Sequence, residues 1–347
     1  MNSDMNRLGR NEAALKRPFF PRRKNESWPP YRLVEEGLVE TAQRKLDRLE
    51  RIYHIGQDNV WDGKKVLDEL IAKHGRPRID GERRESALRI LSILLWGELA
   101  AWAISADLAE RIDDVEAKMA ATSQAHDEAR HFYVLRDYLR ALGHPVPHLG
   151  GLGRRLLIGI LETDSLVHKL VGMQLLVESN ALSIFRGLVE ANIEPVLAEL
   201  LPYYEKDEAR HVGLGVLYLP RLLKKLSTVE VAGVAAFQLR CVGLLMTAGL
   251  TIHDDFRKLG MNERAMAMHT VRLQDDILRE MLEVSSQSGS GPRREGIRGI
   301  LNPARGLGPR ILNFLHPPEG RQNRPQWHKN VLAVWKRGAM IADRALA

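Results

Sequence analysis

Residues 127–131 read DEARH, and residues 207–211 read DEARH again. In each copy a Glu and a His stand three apart, Glu128 with His131 and Glu208 with His211. On a helix that spacing sets both side chains on one face. Such a pair is half of a carboxylate-bridged site for two metal ions, and two pairs with two single carboxylates complete it. The same 80-residue offset leads from Glu178 back to Glu98. Each is the only acid in a mostly apolar stretch, ILSILLWGELAAWAI or VGMQLLVESNALSI. A buried carboxylate without a partner is costly and needs a cation or a proton. Glu98, Glu128 and His131, then Glu178, Glu208 and His211, are therefore two copies of one pattern.

The pattern predicts four core helices, over about 84–111, 114–142, 164–191 and 195–225. Glu98 lies 13 residues before Arg111, and Glu128 lies 14 after Asp114. Glu178 lies 14 before Asn192, and Glu208 lies 13 after Pro195. At about 1.5 Å per residue, each antiparallel hairpin brings its lone Glu level with its Glu-x-x-His. The segment GHPVPHLGGLG (143–153) breaks the bundle. Residues 143–163 are expected to form a crossover with a short helix, RRLLIGILE, and Asp164 to cap the third core helix. Pro220 should kink or end the fourth. Further helices are expected over 31–54, 61–74, 228–259 and 262–284, and from Gln326. The expected fold is all-α: a four-helix bundle with one long crossover and additional helices wrapped around it.

With these residues in place, the chain resembles the ferritin-like di-iron carboxylate superfamily over residues 84–225. The paired DExRH form is similar to that of soluble acyl-carrier-protein desaturases and bacterial multicomponent monooxygenase hydroxylases. The resemblance implies a ferritin-like bundle holding two iron ions, Fe/Fe or Mn/Fe. In those enzymes the Asp before the ligand Glu accepts a hydrogen bond from a ligand His across the site. This implies pairs of Asp127 with His211 and Asp207 with His131, each carboxylate orienting an imidazole. Arg130 and Arg210 are expected to pair with neighbouring acids.

Some positions separate the relatives. Arylamine N-oxygenases, also similar to this chain, carry a third His where this sequence has Tyr204. Tyr204 either donates a hydrogen bond to bound oxygen or packs. Ribonucleotide reductase small subunits carry a radical Tyr four residues after the first His, where this chain has Leu135. Gln124 and Tyr204 each precede a ligand Glu by one turn, on the site face. Tyr138 and Tyr218, at matching repeat positions, are either core or redox-active. His126, His168 and His253 are candidates for the surroundings of the site. Gly213 and Gly215 are expected to open a substrate pocket or to allow close helix packing.

Composition bounds the rest. The chain has 347 residues, a net charge of +7 and one cysteine, Cys241, so no disulfide framework or cysteine-ligated cluster forms within it. No run of about 18 uninterrupted apolar residues appears, so no transmembrane segment is expected, and a cytoplasmic location is the natural reading. The charge is uneven: residues 1–30 carry seven Lys/Arg against three Asp/Glu, and residues 285–347 carry eleven against three. These ends contribute +4 and +8, leaving −5 for residues 31–284. The organisation expected is a basic extended arm over 1–30, a helical di-metal domain over 31–284 and a basic extension over 285–347, with SSQSGSGPRREG as a linker. The basic ends either dock an acidic protein, nucleic acid or membrane surface, or are solvated tails. No aromatic-interleaved basic motif argues for nucleic acid.

The expected activity is O2-dependent hydroxylation, desaturation or N-oxygenation of a mostly apolar small molecule or acyl chain. The alternative is iron oxidation and storage. The expected partners are O2, the organic substrate, an external electron donor such as a ferredoxin, an acyl carrier protein, and a second copy of the chain in a homodimer.

Overall fold

Two antiparallel hairpins position the site. The computed structural model describes residues 43–143, 148–287 and 326–346, which contain helices and no strand. The expected arm over residues 1–30 and most of the linker lie outside the described residues. In chain order the helices are α1 (Gln43–Asp58), α2 (Gly63–His74), α3 (Gly81–Arg111), α4 (Val115–Ala141), α5 (Gly151–Leu161) and α6 (Leu166–Leu170). A π-helical segment, Val171–Val177, leads directly into α7 (Glu178–Ala191). Then come α8 (Pro195–Leu223), α9 (Thr228–Thr251), α10 (His253–Lys258), α11 (Glu263–Gln287) and α12 (Gln326–Leu346).

Local chemistry sets the hairpin turns. Asp114 caps α4 by accepting from the Ala117 N–H at 3.1 Å, and Arg221 of α8 also donates to it. α7 stops at Asn192, whose φ of 43° is left-handed, a conformation Asn tolerates at a helix end. Glu194 caps α8 by accepting from the Leu197 N–H at 2.9 Å, and Pro195 opens the helix. The Tyr138 hydroxyl donates to Glu194 at 2.9 Å, pinning the end of α4 to the start of α8. Tyr138 is thus a buried structural tie.

Two apolar cores flank a polar layer. One contains Ile104, Leu108, Ile112, Leu170 and Leu219. The other contains Leu91, Leu95, Leu139, Phe185 and Leu200. The six candidate ligands lie between them, all buried. α1 and α2 pack on α4 and α8, and α11 packs on α7 and α8. α9 lies against α5 and α12.

Several sequence expectations need correction. The third core helix is not one α-helix: the π segment precedes Glu178, and Ser165 rather than Asp164 caps its start. Gly172 within that segment lets α5 approach, because a Cβ there would lie 2.7 Å from Ile160 Cγ1. The predicted helix over 228–259 is broken at Ile252 into α9 and α10. Two helices, α3 and α9, are long and apolar enough to cross a membrane by length and composition. Counting uninterrupted apolar residues missed α9 because Arg240 splits its run. Most of the apolar window of α3 is inside the protein; only 17% of that of α9 is.

Candidate metal centre

The six residues converge as two overlapping tetrads. Ligand atoms of Glu98, Glu128, His131 and Glu208 lie within 4.8 Å of one another, and so do those of Glu128, Glu178, Glu208 and His211. Glu128 and Glu208 belong to both sets. Glu98 with His131 marks one side, and Glu178 with His211 the other. His131 Nδ1 is 3.4 Å from Glu98, 3.6 Å from Glu128 and 3.2 Å from Glu208. His211 Nδ1 is 2.9 Å from Glu128 and 3.1 Å from Glu208.

Both imidazoles present Nδ1 to the carboxylates because their other nitrogens are taken. His131 Nε2 is 3.1 Å from Asp207, and His211 Nε2 is 3.4 Å from Asp127. The carboxylates are held in turn by two arginines. Arg130 donates to Asp127 at 2.5 Å and to Asp207 at 2.9 Å. Arg210 donates to Asp127 at 2.9 Å and to Asp207 at 2.6 Å. This Asp–Arg quartet closes one side of the centre. Of its arginines, Arg130 is buried and Arg210 partly buried, with side-chain exposures of 4% and 10%. Trp61, which leads into α2, completes it by donating its indole N–H to Asp207 at 2.8 Å.

The electrostatics follow from burial. Burial drives Glu98 and Glu178 well above the usual carboxylate range, and the neighbouring Glu128 and Glu208 push in the same direction. Glu128 and Glu208 are buried too, yet both lie below the usual range: the two histidines hold Glu128 down, and a hydrogen bond with Glu178, followed by the two histidines, holds Glu208 down. Burial would lower the histidines, yet the surrounding carboxylates raise both well above normal. Asp127 and Asp207 stay ionised despite burial because His211 and His131, together with Arg210, stabilise their charge.

The donor set fits two cations. Four carboxylates balance two divalent charges, and oxygen and imidazole ligands suit iron and manganese. Glu128 Oε2 and His131 Nδ1 are fully buried and make no hydrogen bond in the protein. A buried polar atom left without a partner carries a desolvation cost, and a cation bound by Glu128 and by His131 in its neutral form would remove it. Glu98 and His131 would hold one ion, Glu178 and His211 the other, and Glu128 and Glu208 would serve both.

The remaining sequence candidates divide. Gln124 donates weakly to Glu128 at 3.4 Å and to Glu178 at 3.2 Å, and Gln174 donates to Gln124 at 3.4 Å. Of the two readings of Tyr204, packing fits: its hydroxyl donates to the His131 carbonyl at 2.8 Å, and its ring stacks on His131 at 4.3 Å. Tyr218 is buried in the apolar core. His126 is mostly exposed beside Asp127, whereas His168 stacks on Phe237 and His253 pairs with Glu263, both apart from the six ligands.

Gly213 and Gly215 do not open a pocket. A Cβ on Gly215 would come within 2.8 Å of Gln174 Cβ, so Gly215 allows the π segment to pack on α8, while Gly213 faces Ile52. The pocket lies on the opposite flank. A largely apolar cavity of about 1530 Å³ is lined by α3, α5, α7 and the helices from α9 onward, and reaches Glu98, Glu178 and Glu208. Gly97 lines it beside Glu98, and a Cβ there would meet nothing within 4 Å. Sequence reasoning missed Gly97 and Trp61. A glycine adjoining a lone helical Glu was the available signal for the first; nothing local marked the second.

No family model matches the chain, and no curated protein matches it. Among solved structures it is similar to an R2-like ligand-binding oxidase with an aerobically reconstituted Mn/Fe cofactor, at 17% identity and a TM-score of 0.47, covering 69% of this chain and 92% of that one. A second such structure gives 14% identity and a TM-score of 0.42, covering 86% and 92%. A form with an aerobically reconstituted Fe/Fe cofactor gives 14% and 0.41, covering 85% and 92%. At these identities and scores, the case for a metal centre rests on this chain's own residues.

Proposed function

We propose that the protein is a di-metal oxidase, Fe/Fe or Mn/Fe, that uses O2 to oxidise a mostly apolar organic substrate. The observation that carries this reading is the large apolar cavity ending on Glu98, Glu178 and Glu208. Iron oxidation alone gives no reason for an apolar cavity of about 1530 Å³ at the carboxylates. A redox-active metal pair bound by the six ligands would supply the reduction of O2. Hydroxylation places one oxygen atom in a C–H bond and reduces the other to water, which takes two electrons and two protons from outside the substrate. A separate donor such as a ferredoxin would supply the electrons.

The chain's residues set the conditions for that chemistry. Asp127 and Asp207 fix the imidazole orientation from the far side, and the arginines keep these carboxylates ionised. Gln124 bridges Glu128 and Glu178 and steadies the half of the site next to the π segment. The apolar walls beside Gly97, Leu94 and Leu176 keep bulk water from the carboxylates and hold a C–H-rich substrate against them.

The test is anaerobic loading with Fe(II), then O2 labelled with oxygen-18, a chemical reductant and a panel of aliphatic and aromatic compounds. Label in an organic product, at two metals per chain, supports the oxidase. Growth of a mineral holding many irons per chain, with no organic product, supports the storage reading.

A further inference from the structure

We propose that α9 and α12 form a docking surface for an anionic lipid bilayer, with the mouth of the apolar cavity beside it. α9 buries only Val234, Gln238 and Cys241, one stripe along its length. Its outer side includes Val229 and Leu239, which are 81% and 49% exposed. Between Val231 and Thr251 the sole charged residue is Arg240, which is exposed. An apolar helix left on the surface of a protein marks an interaction site.

α12 packs beside α9 and has the same character. Val334 and Ile341 are 70% and 69% exposed and stand seven residues apart, on one face. Arg337 and Arg344, both exposed, fall on that face at the intervening and following turns. Together α9 and α12 carry five Lys/Arg against two Asp/Glu, a net +3, and residues 285–347 as a whole carry eleven against three. Leu239, Val242, Ala333, Lys336, Met340 and Arg344 of the two helices also line the cavity. Of these, Leu239, Met340 and Arg344 are exposed, so aliphatic side chains and a cation meet at the cavity wall.

An anionic bilayer matches both parts of this surface. Aliphatic side chains enter the boundary between headgroups and acyl chains, while Lys and Arg stay among the phosphates. An acidic protein would satisfy the cations but leave Val229, Val334 and Ile341 facing water. A second copy would cover the aliphatic side chains but bring like charges together. The docking is peripheral, because the buried stripe of α9 holds that helix to the protein. Under the function proposed above, a substrate dissolved in lipid would enter the cavity from this side; the docking itself can be tested without turnover.

The experiment is flotation of the full chain with vesicles of phosphatidylcholine alone or of equal parts phosphatidylcholine and phosphatidylglycerol. The protein should float with the mixed vesicles roughly tenfold more strongly, and less so as salt is raised. Val334→Asp with Ile341→Asp, and separately Arg240→Glu with Arg337→Glu, should each reduce binding at least about tenfold while leaving the melting temperature and metal content unchanged. None of these four side chains touches the metal centre or lines the cavity. Absence of binding to either vesicle, or equal binding by wild type and both variants, would overturn the proposal. So would a dimer in solution that Val334→Asp with Ile341→Asp dissociates, since the surface would then be covered by a second copy. Failure of flotation leaves the metal chemistry untouched, and failure of the oxidase test leaves flotation untouched.

Discussion

Trp61 donates its indole N–H to Asp207 at 2.8 Å, on the carboxylate oxygen that also faces His131 Nε2 at 3.1 Å. A residue outside the four core helices therefore reaches the centre through one carboxylate. The Trp61 ring lies 5.9 Å from Tyr204, and the Arg130 guanidinium sits 4.9 Å from it. Trp61→Phe keeps an aromatic ring but removes the N–H. It should cost about 1.5–3 kcal/mol in urea denaturation, the range for a hydrogen bond to a charged group. Metal affinity on the His131 side should fall by roughly 10–100-fold, as expected when the support of a ligand imidazole is weakened. Unchanged stability and metal binding would show that the indole only packs.

The two tetrads share Glu128 and Glu208, so substitutions should separate by stoichiometry. Glu98→Ala should leave one ion bound, and Glu208→Ala should reduce occupancy of both positions. Metal analysis after Fe(II) reconstitution checks this against two ions in the wild type. Equal losses from the two variants would contradict the shared role.

Metal uptake should release protons. Without metal, burial favours the protonated forms of Glu98 and Glu178, and the surrounding carboxylates favour those of His131 and His211. Ions displace these protons, so affinity should rise with pH. Calorimetry in buffers of differing ionisation enthalpy measures the release directly, and no release would refute the assignment. The metal-free protein has its own pH dependence. Raised histidines stabilise the fold below about pH 6.5, and this contribution fades as pH climbs through their higher folded values. The depressed Asp127 and Asp207 stabilise it above about pH 3.9, and that contribution fades on acidification through their lower folded values. The metal-free melting temperature should therefore be highest in mild acid and fall on alkalisation.

Gly97 and Gly215 should respond in opposite ways to the same change. Gly97→Leu points into open cavity, so it should keep fold and metals while excluding an apolar ligand from Glu98. Gly215→Leu drives bulk into Gln174 and Leu175 and should destabilise by at least about 1–3 kcal/mol. Thermal melts with metal analysis distinguish them, and binding of a fluorescent fatty-acyl probe reports the cavity. Undiminished probe binding to Gly97→Leu would move the substrate path elsewhere.

The six ligands were legible in the sequence because their determinants are local. A spacing of three puts Glu and His on one helix face, and an 80-residue repeat does so twice. Equal distances to the hairpin turns then fix their common height. The pairing of Asp127 with His211 and Asp207 with His131 followed from a family resemblance and is present in the geometry. The all-α class follows from the same periodicity.

Tertiary structure decided what depends on contacts between distant segments. Trp61 meets Asp207 across 146 residues, and no spacing rule links them. The sequence left Gly213 and Gly215 open between a cavity and close packing; packing of the π segment on α8 decides for the second at Gly215, while Gly97 faces space left between α3 and the later helices. Tyr204 was placed on the site face correctly, yet its hydroxyl turns to the His131 carbonyl, because a fully buried donor takes the nearest acceptor. Periodicity marks which face of a helix is inside; only the packing of the other helices determines whether that face meets a side chain, a backbone carbonyl or a cavity.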